Sequence, residues 1–234
     1  MEQKEKAYYM QEIEFAVLLT AMGYKQLYGY HLQSMENVEE QQVNQALFSM
    51  ARKGIVLPGE EGFLIAGEYR SMLQYLMKAT QLLVVADREQ RSPELYLYVS
   101  DKVVALQSYG QSGIMLKLEL WDRTEAVDRL MQWGFCIESS LQVTVPSYGE
   151  EAEYRTDTPE LFELGKKQLL ERREINMLLL DLDIMSRRKN SQIMLLRHGV
   201  EDQIVTENRT EMRRYRYSVR TMEAILSQCI GGVK

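Results

Sequence analysis

The stretch QLLVVADREQRSPELYLYVSDKVVALQSYGQSGIMLKLELW, residues 81–121, decides the fold. It divides into four apolar runs, Leu82–Asp87, Glu94–Ser100, Lys102–Tyr109 and Ile114–Trp121, separated by Gly, Ser, Pro, Asp and Arg. Short runs rich in Val, Leu and Tyr and bounded by turn residues predict strands joined as an antiparallel meander. Leu95, Leu97 and Val99 point one way and Tyr96 and Tyr98 the other. Ile114, Leu116, Leu118 and Leu120 alternate with Met115, Lys117, Glu119 and Trp121, the pattern of a sheet with one face on a core and one face wetter. Asp122 with Glu125 then starts a helix in the manner of a capping box, and Val127, Leu130, Met131 and Trp133 supply its packing.

The same order returns about 96 residues downstream. Ile175–Met185, Gln192–His198, Gln203–Glu207 and Met212–Tyr217 read as strands, and a helix follows from Ser218. Residue identity between the stretches is low, so the repetition is one of pattern. The chain therefore reads as an α+β protein of two pseudo-symmetric units, each an antiparallel meander closed by a helix. As one domain spanning 1–234, it divides into N-terminal helices and a small hairpin (1–80), a first meander and helix (81–134), a connector with a helix (135–173) and a second meander and helix (174–234).

Upstream, Tyr9–Met22 reads as a helix ended by Gly23. Glu39–Lys53 reads as a second, with the stripe Val43, Ala46, Leu47 and Met50, acids in its first turn and Arg52 and Lys53 in its last. Ile55–Leu57 and Phe63–Ala66 form a hairpin around Pro58–Gly62, and Glu68–Thr80 is a further helix. Leu141–Val145 suggests a strand in the connector, and Pro159 opens a helix that reaches about Arg173.

The composition narrows the function. A formal net charge of −6 argues against a general nucleic-acid binder. The two cysteines, Cys136 and Cys229, suggest buried free thiols and no disulfide framework. Met1–Lys6 is charged and no stretch approaches an unbroken membrane span, so a cytoplasmic protein is expected. Among possible chemical groups, His31 and His198 lie far apart, no metal-ligand spacing occurs, and there is neither a phosphate loop nor a nucleophile elbow. Asp181 and Asp183 share one side of a strand, where they could bind a metal or exchange protons; pairing with arginines of the neighbouring strand is the simpler reading. No catalytic residue, metal site or cofactor is expected, and the chain reads as a non-enzyme.

Helix Glu39–Lys53 and the hairpin after it have the outline of a winged helix, which makes a DNA-binding regulator with a C-terminal effector region the alternative reading. Glu36, Glu39 and Glu40 at the helix start, with Glu60 and Glu61 in the wing, would meet phosphate with like charge.

Glu14-Phe15, Leu18, Met22-Gly23-Tyr24, Leu27 and Tyr28–Leu32 resemble the N-terminal segment of the EspG family, cytosolic chaperones of ESX (type VII) secretion. Ala46–Val56 is similar to that family's Ala-Leu…Arg-Gly-Leu-Val helix end, and Glu68–Leu76 with Leu82–Ala86 to its Leu-rich helix and first meander strand. Tyr28-Gly29-Tyr30 stands where the family has a Pro-containing turn. The resemblance implies an α+β fold with quasi-two-fold symmetry and a binding protein without catalytic residues. It also implies a secreted client or helical-hairpin substrate as partner, with a homodimer possible. The expected contact surface is the wetter face of the first meander, with Tyr96, Tyr98, Met115 and Trp121, residue types favoured at interface centres.

Overall fold

The computed structural model describes residues 7–24, 26–32, 38–60, 62–88, 93–109, 115–136, 175–198, 201–208 and 210–231. The expected connector strand and the helix from Pro159 lie outside them.

Nine antiparallel strands make one sheet: β1 (Ala7–Gln11), β4 (Gln81–Asp87), β5 (Leu95–Val99), β6 (Val103–Tyr109), β7 (Met115–Trp121), β8 (Ile175–Asp183), β9 (Arg188–His198), β10 (Glu201–Asn208) and β11 (Met212–Arg216). Their spatial order is β1-β7-β6-β5-β4-β8-β9-β10-β11. The two meanders lie side by side, and their first strands, β4 and β8, pair antiparallel at the centre from Gln81↔Asp183 to Asp87↔Met177. Apart from β1, the order reads alike outward from that seam, as two pseudo-symmetric units require. β2 (Val56–Gly59) and β3 (Gly62–Ile65) form a separate hairpin.

Helices cover both faces. On one face, buried residues of α1 (Glu12–Ala21), α2 (Glu40–Arg52) and α3 (Gly67–Met77) pack on Leu82, Val84, Tyr96, Tyr98, Leu116 and Leu118. On the other, α4 (Arg123–Leu130), which continues as a wider π-type turn through Phe135, and α5 (Val219–Gly231) cover Leu83, Val85, Leu97, Leu179 and Leu195. Covering both faces explains why the central runs LLVVA and LLL are continuously apolar while β7 alternates. Arg123 links the two halves on this second face, donating to the Ser100 carbonyl and to the Gly231 carbonyl at the end of α5. Tyr217 Oη adds a bond to the Phe135 carbonyl at 3.0 Å.

The first helix is shorter than the sequence pattern predicts. Ala7–Gln11 is a strand on β7, and the helix starts only at Glu12. Tyr8 and Met10 point into the core and Tyr9 points out, a period of two that the apolar run following it conceals. In α1, Glu14 to Leu19 are all buried in succession, so it packs on nearly all sides. Glu14 is fully enclosed, and its carboxylate accepts from Lys53 Nζ at 2.7 and 2.8 Å and from the Gln11 N–H at 2.7 Å. That pair ties α1 to the end of α2.

β9 is also longer than expected. The β8–β9 turn is Ile184–Arg187, closed by Asp183 Oδ1 accepting the Ser186 N–H at 2.6 Å, with Arg187 left-handed at φ 53°. The polar stretch Arg188–Ser191 thus belongs to the sheet. Of the two cysteines, Cys229 is partly buried, whereas Cys136 is exposed: the helix has ended one residue earlier, and Cys136 sits at the rim.

Candidate protein-binding surfaces

The expected surface residues do not share a face. Tyr96 pairs with Leu106, and Leu106 with Leu118, so Tyr96 and Tyr98 lie on the Leu118 side of the sheet. Met115 and Trp121 lie on the other. Alternation along each strand is as predicted, but the register between β5 and β7 puts the tyrosines opposite to where the pattern of β7 alone suggests.

Three of the four are core side chains. Tyr98 is 1% exposed. Residues 26–32 lie over it: Tyr98 Oη donates to the Tyr28 carbonyl at 2.8 Å, and burial holds its phenol well above the ordinary value. Tyr30 stacks edge-on against Tyr96 at 5.1 Å and shares a 3.1 Å hydrogen bond with Ser108. Gly29 between them has φ 78°, and a Cβ there would come within 2.2 Å of Leu82 Cδ2. The Tyr-Gly-Tyr turn is therefore a lid on the sheet that requires glycine for both its hand and its closeness. Trp121 is buried on the opposite face, near the Arg129 guanidinium at 5.9 Å, and its indole N–H has no partner among the described residues. Met115 alone is half-exposed.

The open part of that second face is furnished by other residues. Tyr9 and Tyr109 are 44% and 54% exposed, and their rings meet edge-on at 5.3 Å. Beside them lie Met115 and the paired Lys117 and Glu119, whose Nζ and Oε2 are 2.9 Å apart.

A second apolar surface lies on the winged-helix-like layer. Phe48 on the solvent side of α2 is 65% exposed, and Leu57, Phe63 and Leu64 of the hairpin stand open as well. Leu57 pairs with Leu64, and Pro58 with Phe63, so both faces of this two-stranded ribbon carry large apolar groups. Leu57, Phe63 and Leu64 are thus exposed on one ribbon, and exposed large apolar groups on neighbouring elements mark candidate contact sites. The sequence signal was the lack of alternation in Leu57-Pro58 and Phe63-Leu64, together with Phe48 on a helix face otherwise furnished by Glu40, Gln41, Asn44 and Gln45.

Asp181 and Asp183 line a cavity of about 550 Å³ between β8–β11 and the end of α5, together with Gln81, Ser191, Thr206, Tyr215 and Cys229. Among the described residues Asp181 is held by uncharged groups, not by the arginine expected. It accepts from Gln81 Nε2 at 2.9 Å and Ser191 Oγ at 3.1 Å, and burial raises its carboxyl above the ordinary value. Burial likewise pushes the Cys229 thiol up, which makes it a poor nucleophile. Among the described residues no group of three or more His, Cys, Asp or Glu is placed to hold a metal ion.

No model of a known protein family matches the chain, and no curated protein matches it in sequence. A solved structure does. It is the Mycobacterium tuberculosis type VII secretion system chaperone EspG5 in complex with the PE25–PPE41 dimer, at TM-score 0.55 and 10% identity over 96% of each chain. The chain carries the EspG5 fold. The sequence resemblance to that family is thus borne out in architecture, including the α+β class. Among the described residues, no helix is long and apolar enough to cross a membrane.

Proposed function

We propose that this chain is a non-catalytic binding protein that holds a type VII secretion client, and that the apolar surface of α2 and the β2–β3 hairpin is where the client docks. The observation that carries the reading is the exposure of Phe48, Leu57, Phe63 and Leu64 on one supersecondary unit of a chain with the EspG5 fold. Aromatic and aliphatic side chains already in water gain from any partner that covers them, at about 25 cal/mol per Å² of apolar surface. The same surface weighs against the DNA-binding alternative. The exposed side of α2 offers Gln, Asn and Phe with Arg52 as its cation, whereas phosphate contacts need clustered Lys and Arg.

The test is co-purification from the native cell with the parent chain and with Phe48→Ser, Leu64→Ser and the double variant. Loss of one specific secreted partner in the variants, with unchanged melting temperature, is the expected result. Retention of that partner by the double variant moves the docking site elsewhere. A salt-sensitive gel shift with duplex DNA that needs the same residues overturns the reading in favour of the regulator.

A further inference from the structure

The cavity between β8–β11 and the end of α5 is a polar site that the proposed client surface leaves unused. Its volume of about 550 Å³ lies within the range of small-molecule pockets. Among the described residues its wall carries four carboxylates, those of Asp181, Asp183, Glu207 and Glu211, and one guanidinium, that of Arg213. Glu207 is joined to Lys189, and Glu211 to Arg213. Asp181 differs from these. It is 8% exposed, and its partners among the described residues, Gln81, Ser191 and Asn190, are all uncharged.

The wall sets the charge of what it can hold. A carboxylate has about four acceptor positions, so Asp181 keeps room for a donor aimed from the cavity. Asp183 follows two residues along β8, on the same side of the strand, with its Cα about 7 Å away. Burial raises the Asp181 carboxyl and the Asp183 charge adds to it, against the three neutral donors that lower it. A cation seated between the two carboxylates relieves that repulsion. The last turn of α5 lines the same cavity with Gln228 and Cys229. Gln81 Nε2 bridges from the Cys229 carbonyl, at 3.1 Å, to Asp181, at 2.9 Å. A helix C-terminus carries partial negative charge and favours cations. Ile193 and Ile225 add apolar wall, which suits a hydrocarbon chain between charged ends.

We propose that this cavity binds a small organic dication, a short aliphatic diamine, with one ammonium on Asp181 and the other on Asp183. A metal ion fits less well, since among the described residues no three His, Cys, Asp or Glu converge on one point. An ammonium group brings three donors of its own, so two carboxylates held apart along one strand serve the two ends of a diamine better than they serve a single ion. The site is distinct from the proposed client surface, because α2 packs on the other face of the sheet.

The test is isothermal titration calorimetry of the full chain with 1,4-diaminobutane, with 1,4-butanediol and Mg²⁺ as controls. Saturable binding of the diamine with a dissociation constant of about 1 mM or tighter, no binding of the diol, and a loss of about tenfold or more in both Asp181→Asn and Asp183→Asn support the proposal. Those variants keep the shape of the cavity and remove its charge. Thr206→Met narrows the cavity and leaves both carboxylates in place; it should also weaken binding at an unchanged melting temperature. A parent chain that binds no diamine at about 10 mM overturns the proposal, as does binding indifferent to both asparagine variants. Mg²⁺ displacing the diamine at equal concentration also overturns it, and reduces the site to a patch of negative charge. Absence of diamine binding together with loss of the client in Asp181→Asn overturns it as well, and assigns the cavity to a basic side chain of the client. No client is needed for the titrations, so their outcome is separate from that of the proposed chaperone role.

Discussion

Val84 and Leu180 pair directly across the central seam, and Leu180 follows Val84 by 96 residues, the same interval that relates the two meanders in sequence. The residue at the middle of β4 thus faces its own counterpart in β8, as a two-fold axis through that point demands. Both are fully buried under the α1–α3 layer.

The seam predicts cooperative unfolding. Seven residue pairs join the halves, and each face has one core cluster that includes both. Urea unfolding followed by far-ultraviolet circular dichroism and by tryptophan fluorescence should give one coincident transition. Leu180→Ala should lower its free energy by about 2–5 kcal/mol. Two separated transitions would instead make the halves independent domains.

Glu14 and Lys53 form an ion pair in which the carboxylate is fully enclosed. Lys53→Met leaves a fully enclosed carboxylate that, among the described residues, keeps the Gln11 N–H. Breaking a wholly buried pair costs about 3–5 kcal/mol; with Lys53 still 36% exposed, about 1–3 kcal/mol is expected. Glu14→Gln with Lys53→Met should restore part of the loss in a double-mutant cycle. Additive losses would show that the pair is not coupled.

The Tyr28–Tyr30 lid should answer to two small changes. Tyr98→Phe removes one hydroxyl and the bond it donates to the Tyr28 carbonyl, for about 0.5–1.5 kcal/mol. Gly29→Ala combines a left-handed backbone with a side-chain clash on Leu82 and should cost more than the ordinary 1 kcal/mol of a glycine substitution, about 2–4 kcal/mol. Thermal melts check both. Affinity for the client should fall only as stability does, since Tyr98 is buried and neither residue belongs to the proposed docking surface.

Asp181 predicts a pH effect opposite to that of a salt-bridged acid. Its folded-state carboxyl titrates above the ordinary value because of burial. The stability tied to its neutral form is therefore complete below the unfolded-state value and is lost as pH rises through the raised one. Asp181→Asn keeps hydrogen-bonding capacity toward Gln81 and Ser191 without the charge. The variant should melt higher than the parent at pH 7, and the difference should shrink as pH falls to 4. A variant less stable at pH 7 would show that the ionised form is the favoured one.

Most of the sheet was legible because the strands of β4–β7 and β8–β11 are apolar runs cut by turn residues, and local chemistry sets those boundaries. β1 was not, since five residues run straight into a helix with no turn between. The fate of Tyr96 and Tyr98 was beyond periodicity altogether. Alternation says which residues share a side of one strand. It does not say how β5 registers on β7, nor that an irregular segment some 70 residues upstream lies over Tyr98. Phe48, Leu57, Phe63 and Leu64 look like core residues by type, and residue type does not say which sides of α2 and of the hairpin the rest of the fold leaves uncovered.

The central seam also bears on synthesis. β4 leaves the ribosome roughly 96 residues before its partner β8, which at about 5–20 residues per second is a delay of about 5–20 s. From the emergence of β7 to that of β8 the first meander can be complete while Leu82–Ala86 waits with its β8 edge unpaired. Loop closure over such a separation is slow compared with pairing between neighbouring strands. The nascent chain is thus most prone to misassembly at its centre, and a codon pause placed between β7 and β8 should lower soluble yield, whereas one placed after β11 should not.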